Sequence, residues 1–154
     1  MLDLRHGVAY YHFFRRIRHA GTFSVSLEAQ LLKQFDRYIG DHQYVNRSEA
    51  VRDLIRKALV KEDWEADREV VGVISLVYDH HQRQLQDKLT EIQHAFHHDV
   101  VSTTHIHLNH DDCLEVIIVR GKSSRVRKLA DQLVALRGVK DGALNMSGAG
   151  PHLH

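Results

Sequence analysis

Residues 22–27, Thr22-Phe23-Ser24-Val25-Ser26-Leu27, alternate strictly between hydroxyl and apolar side chains, which is the period of a half-buried β-strand. The residues that follow give this strand nothing to pair with. They fall at once into helical spacing, with Leu31, Leu32, Phe35, Tyr38 and Ile39 recurring up to Gly40, a glycine placed to end a helix. A lone strand leaves its backbone N–H and C=O groups unpaired. The simplest source of the missing ladder is the same strand of a second copy. The sequence therefore predicts an N-terminal unit that folds only by pairing with itself.

Beyond the loop at 41–45, Asn46-Arg47-Ser48-Glu49 has the form of a capping box, with Asn46 accepting from the first turn and Glu49 reaching back. Ala50, Val51, Leu54, Ile55, Ala58 and Leu59 are the buried set of the second helix, leaving Arg47, Arg52, Arg56 and Lys57 polar. A strand and two helices in about forty residues are too few for a generous monomeric core. The stretch TFSVSL–EAQLLKQFDRYI–NRSEAVRDLIRKAL resembles the ribbon-helix-helix DNA-binding units. That resemblance implies an antiparallel ribbon from two chains entering the major groove, with Thr22, Ser24 and Ser26 directed to base edges. The start of the second helix, at Asn46, Arg47 and Ser48, would hold a phosphate on its free N–H groups. All three outward strand positions are hydroxyls where many members carry a long basic or amide side chain, so base reading is permissive and phosphate contacts carry more of the affinity. The alternative for the same pattern is a plain dimerisation module.

Residues 1–21 read as an N-terminal extension: either an unordered segment or an arm touching phosphates through Arg15, Arg16 and Arg18, the former being the commoner state of termini. Residues 22–62 are the expected DNA-binding unit and 63–69 a charged connector. The run 70–78 then predicts a buried strand, and 82–96 a helix with Leu85, Leu89, Ile92 and Phe96 on one face. Strands follow near 100–108 and 113–120, a helix at 123–136, and a last strand near 139–146. The order βαββαβ is the split βαβ, ferredoxin-like arrangement. The expected fold class is thus α+β, a ribbon-helix-helix unit followed by a ferredoxin-like (ACT-type) domain at 70–147, with 148–154 a frayed tail.

Six of the fourteen histidines lie in residues 94–113, and Cys113 is the only cysteine. His105 and His107, two apart on a predicted strand, share a face. An antiparallel return through Asn109-His110-Asp111-Asp112 would bring Cys113 back beside them, making most of a metal site with nitrogen and sulfur ligands. Three imidazoles and a thiolate suit Ni(II) or Cu(II) if planar and Zn(II) if tetrahedral. With the N-terminal unit, the motif H-I-H-L-N-H-D-D-C-L-E resembles the nickel-responsive NikR regulators over residues 22–146. The resemblance implies a transcriptional repressor that binds double-stranded operator DNA when one Ni(II) per chain is held by His105, His107 and Cys113. His94 would be donated by a neighbouring subunit, tying dimers into a homotetramer. It also implies a lower-affinity metal site at His80 and His81, and a monovalent cation near Glu49 and Asp53, which are otherwise a solvated helix face. Glu115, on the face of Cys113, is placed to hydrogen-bond a ligand imidazole. His97 and His98 read as helix-end histidines, His110 as a turn residue, and Asp111 and Asp112 as turn stabilisers.

Charge divides the same way. Residues 1–60 carry ten Lys or Arg against six Asp or Glu, and 61–154 carry eleven against fourteen together with ten histidines. A basic N-terminal part suits a polyanion, and an acidic, histidine-rich remainder suits a cation. No apolar run has membrane-spanning length, no signal peptide is indicated, and a single cysteine fits a reducing compartment, so the expected location is cytoplasmic with no membrane partner. A closed four-ligand site favours sensing over catalysis, and no nucleophile–base pair or phosphate loop suggests an enzyme. The rival readings are a ribbon-helix-helix regulator whose second domain senses a small molecule or another metal, and a metalloenzyme or metal-handling protein.

Overall fold

The computed structural model describes residue 21 and residues 23–150. Thr22, the arginine-rich arm at 1–20 and the end of the tail, 151–154, lie outside the described residues. The first unit is a helix pair, α1 (Ala29–Asp41) and α2 (Arg47–Glu65). Asn46 caps α2 as its sequence position suggests, its Oδ1 accepting the Glu49 N–H at 2.9 Å. The reciprocal half of the box is replaced, because the Glu49 carboxylate sits 2.7 Å from Arg52, three residues along the same helix. Arg47 forks onto Asp36 through two 2.8 Å hydrogen bonds and clips the two helices together.

This pair has little core of its own. No residue of α1 is buried, and Phe23, Val25, Leu27, Leu31, Leu54 and Ile55 all remain exposed. Residues 23–28 form no strand in the single chain. The alternation is there, but among the described residues no strand pairs with it.

The second unit begins inside α2. Trp64 is 3 % exposed; its indole N–H donates to the Ser147 carbonyl at 2.9 Å and Arg127 covers its ring. The connector expected at 63–69 is therefore helical for its first three residues and anchored to the following domain. From there the chain runs β1 (Glu69–Asp79), α3 (Arg83–Ala95), β2 (Val100–His107), β3 (Asp112–Lys122), α4 (Ser123–Val134) and β4 (Val139–Gly148). All pairings are antiparallel, in the order β2-β3-β1-β4. This is the expected βαββαβ sheet, with the first and third strands central.

One face of the sheet carries the core. Val70, Ile74, Leu76 and Tyr78 of β1, with Ile117 and Val119 of β3, pack against Leu85 and Leu89 of α3 and Val126, Leu129 and Leu133 of α4. Alternation along β1 and β3 sends Cys113 and Glu115 to that same face. No described helix is long and apolar enough to cross a membrane.

Candidate metal centre

Strand register builds the site. Cys113 pairs with Tyr78 on one side and His107 on the other, and Glu115 pairs with Leu76 and His105. Residues opposite one another in a ladder share a face, so two adjacent rows, Tyr78–Cys113–His107 and Leu76–Glu115–His105, lie side by side beneath α3. The turn between β2 and β3 closes tightly, with Asn109 Oδ1 accepting the N–H groups of Asp111 and Asp112 at 2.8 Å each. The Asx bonds thus come from Asn109, freeing the Asp111 carboxylate for other partners.

Cys113 Sγ lies 3.2 Å from His107 Nδ1. His80, at the end of β1, joins them: its donor nitrogen, that of His107 and the sulfur lie within 4.8 Å of one another. Its Nδ1 is buried without a hydrogen-bond partner, a costly state for a polar atom and one that a cation at this position would relieve. The His105 ring stands 5.2 Å from that of His107. Burial, reinforced by Asp112, Asp79 and Glu115, pushes the Cys113 thiol up from its ordinary pKa. The sulfur is therefore held as a neutral thiol until a cation offsets those carboxylates. Two or three imidazoles and one thiol, converging at the edge of a dry core, form a donor set that fits a late divalent metal.

His105 is held from behind. Tyr78 Oη donates to Glu115 Oε2 at 2.7 Å and lies 3.3 Å from His105 Nδ1. With its proton committed to the carboxylate, the hydroxyl oxygen can only accept, so His105 carries hydrogen on Nδ1 and presents Nε2 as a free lone pair. The other carboxylate oxygen accepts from Gln93 Nε2 at 2.7 Å, and Gln93 Oε1 accepts from Thr103 Oγ1 at 2.8 Å. Burial, then Glu115, pushes the Tyr78 hydroxyl well above its usual range, keeping it protonated. Glu115 bonds Tyr78 and Gln93 rather than an imidazole, and reaches His105 only through the Tyr78 hydroxyl. Glu115→Gln removes the charged acceptor both donors need and is expected to weaken divalent-metal binding about 10–100-fold, with the fold retained; competition against a chromophoric chelator measures it.

His94 stands apart. It is exposed at the end of α3, beside Val100 and Thr103, in a depression that Glu115 also lines. His105, two residues beyond Thr103 on β2, lines an adjoining depression that shares Thr90, Thr103 and Glu115. Among the described residues, the close donor groups are His80–His107–Cys113 and His81–His110–Asp111. The neighbours His80 and His81 thus enter different groups. Sequence reading missed that His80 belongs with Cys113, because the contact depends on the β1–β3 register. The signal available was Tyr78, a polar aromatic ending an apolar strand two residues earlier.

At the other end of the molecule, Ser24, Ser26, Asn46, Arg47 and Ser48 are exposed, and the first-turn amides of α2 face outward beyond the Asn46 cap. Glu49 and Asp53 lie one turn apart but are already paired, with Arg52 and with Lys57 and Tyr44 respectively. Asp53 borders the cleft where α2 meets the end of β4.

Two family models match the chain. Residues 22–62 match the ribbon-helix-helix protein, copG family, and residues 71–147 match the NikR C terminal nickel binding domain. A relative from Desulfotalea psychrophila is 59% identical over 132 residues, covering 86% of this chain and 97% of its own length. One from Syntrophus aciditrophicus is 54% identical, covering 83% and 93% respectively. One from Geobacter sulfurreducens is also 54% identical, covering 86% and 96%. All three are named, provisionally, as nickel-responsive regulators.

Proposed function

Since this chain belongs to the nickel-responsive regulators, in which a copG-type ribbon-helix-helix unit precedes a NikR C-terminal nickel-binding domain, we propose how its residues couple Ni(II) to DNA. His105, His107 and Cys113 of one chain, with His94 of a neighbouring chain, hold one Ni(II) per chain. The assembly is a dimer of dimers acting as a cytoplasmic repressor on double-stranded operator DNA. The observation that carries this reading is the placement of the four donors: His105, His107 and Cys113 stand on facing positions of β2 and β3, while His94, exposed at the end of α3, belongs to no close donor group among the described residues. A bound ion supplies a positive centre that stabilises the Cys113 thiolate and joins two chains.

The remaining work belongs to protein groups. Glu115 and Tyr78 orient His105, and Gln93, next to His94, is held by the same carboxylate. One buried charge therefore positions the strand ligand of its own site and the helix end that serves the neighbouring one. Thr22, Ser24 and Ser26 from two chains face base edges, and the α2 N-terminus at Asn46, Arg47 and Ser48 meets a phosphate through its amides, the Arg47 guanidinium being engaged by Asp36. Locking the C-terminal units together poses two ribbons for simultaneous engagement, which raises avidity without new contacts. Glu49 and Asp53 take a monovalent cation at the junction with the second domain in exchange for their present side-chain partners.

The grouping of His80 with His107 and Cys113 favours a second reading, with His80 as a ligand in the unassembled chain and His94 in the assembled one. Single variants separate them. His94→Ala is expected to lower Ni(II) affinity at least about a hundredfold, beyond the 10–100-fold typical of losing an indirect partner, and to abolish Ni(II)-dependent assembly in sedimentation. His80→Ala should leave the assembled site saturable at one Ni(II) per chain. Wild-type affinity in His94→Ala, with loss in His80→Ala, would replace the intersubunit site by the single-chain one.

A further inference from the structure

We propose that Asp99 and Arg125 form a clip that positions His94, making Arg125 a determinant of metal affinity although it is not itself a ligand. Asp99 lies five residues beyond His94, where the chain leaves α3 for β2, and is only 5% exposed. A carboxylate buried to that extent needs a partner. Arg125, in the first turn of α4, supplies it as a fork. Its Nε donates to Asp99 Oδ1 at 3.2 Å and to Oδ2 at 3.0 Å, and its Nη2 donates to Oδ2 at 2.6 Å. The same guanidinium lies 5.5 Å from the centre of the Phe96 ring, a cation–π distance. Arg125 thus grips two residues of the segment that ends α3.

The backbone around Asp99 is fixed on both sides. Its N–H donates to the Phe96 carbonyl at 2.8 Å, and its carbonyl accepts the Arg120 N–H of β3 at 2.7 Å. The His94 carbonyl belongs to the same turn, accepting the His97 N–H at 3.2 Å. The socket for the carboxylate is a gap in β3. A Cβ at position 121 would collide with Asp99 Oδ1, so glycine there leaves the carboxylate its room. Gly121 has no left-handed φ, which makes space, and not backbone freedom, the reason for glycine. The last turn of α3 is therefore held at two points, Gln93 through Glu115 and Phe96 with Asp99 through Arg125. His94 lies between them. An exposed side chain takes its aim from the backbone that carries it, and a backbone held in advance lowers the ordering cost of binding.

The role of the clip rests on the reading of His94 as a ligand to a neighbouring chain's Ni(II), and the two are tested in separate arms. Competition of the full chain against a chromophoric chelator measures Ni(II) affinity in Arg125→Lys, which keeps the charge but loses the fork. It also measures Gly121→Ala, which crowds the carboxylate and leaves every charge in place. Each is expected to weaken tight Ni(II) binding about 10-fold, the lower end of what losing an outer partner of a ligand costs, with circular dichroism unchanged. Placed in a His94→Ala background, the same substitutions should cost nothing further, because two changes acting through one donor do not add. A clip that only supports the fold would weaken binding by the same factor in both backgrounds. That result, or parent-like affinity in both Arg125→Lys and Gly121→Ala, would overturn the proposal while leaving His94 a ligand. Parent-like affinity in His94→Ala itself would remove the ligand, and the role of the clip with it.

Discussion

Cys113→Ala abolishes the Ni(II)-dependent rise in operator affinity while the chain stays folded. The sulfur is fully buried between His107 and Tyr78, and no other cysteine exists to replace it. Deleting one buried atom leaves a small void, costing about 1–2 kcal/mol, which a folded domain tolerates. The functional loss is larger, because the thiolate is the only anionic ligand in the proposed set. Coupling between an effector and a second ligand is typically about 1–3 kcal/mol, or roughly 5–150-fold in affinity, and all of it disappears with the effector. Fluorescence anisotropy with operator DNA, with and without Ni(II) at fixed salt, reads the coupling; salt must be held because phosphate contacts depend on it. Circular dichroism reads the fold. A Cys113→Ala protein whose operator affinity still climbs with Ni(II) would remove the sulfur from the site.

Leu31→Asp destroys DNA binding whether or not Ni(II) is present. Leu31 is 48% exposed in the single chain, where an aspartate would be harmless. It lines an apolar groove with Val25, Leu27, Phe35, Leu54 and Ile55, and α1 buries no residue by itself. A second copy seated there makes the missing core and the missing ladder together. A carboxylate enclosed in that core without a partner costs about 3 kcal/mol or more, enough to undo the association of a unit that has little core of its own. Two measurements separate the cases. Melting of the parent's N-terminal unit should depend on protein concentration, as for any fold completed by association. The variant should lose operator binding but keep the tight Ni(II) ion, since β2 and β3 lie in the other domain. Parent-like operator binding in Leu31→Asp would show that this groove is not where the chains meet.

Short-range features are legible in the amino-acid sequence itself. The Asn46 cap acts on an amide three residues away, and hydrophobic spacing alone places α3 and α4 to within a residue or two. His105 and His107 share a face because strand geometry makes them do so, and the polar turn brings Cys113 back in register with them. Local chemistry also explains the segment at 22–27, whose alternation signals a strand and whose surroundings signal a missing partner.

The tertiary structure alone decided which distant residues meet. His80 reaches Cys113, Tyr78 reaches Glu115, and Gln93 and Thr103 complete the support because β1 pairs with β3 in one register and α3 lies over both. A shift of one residue would turn each of these side chains to the opposite face. Separations of 22 to 37 residues in sequence, such as Gln93 to Glu115 and Tyr78 to Glu115, leave no periodic trace, since the spacing depends on the intervening helix and turns. The His81–His110–Asp111 group arises in the same way. The sequence by itself determined two units, their element order and three donors on adjoining strands. Sheet register, a non-local property set by packing of the whole core, determined which other groups stand behind and beside those donors.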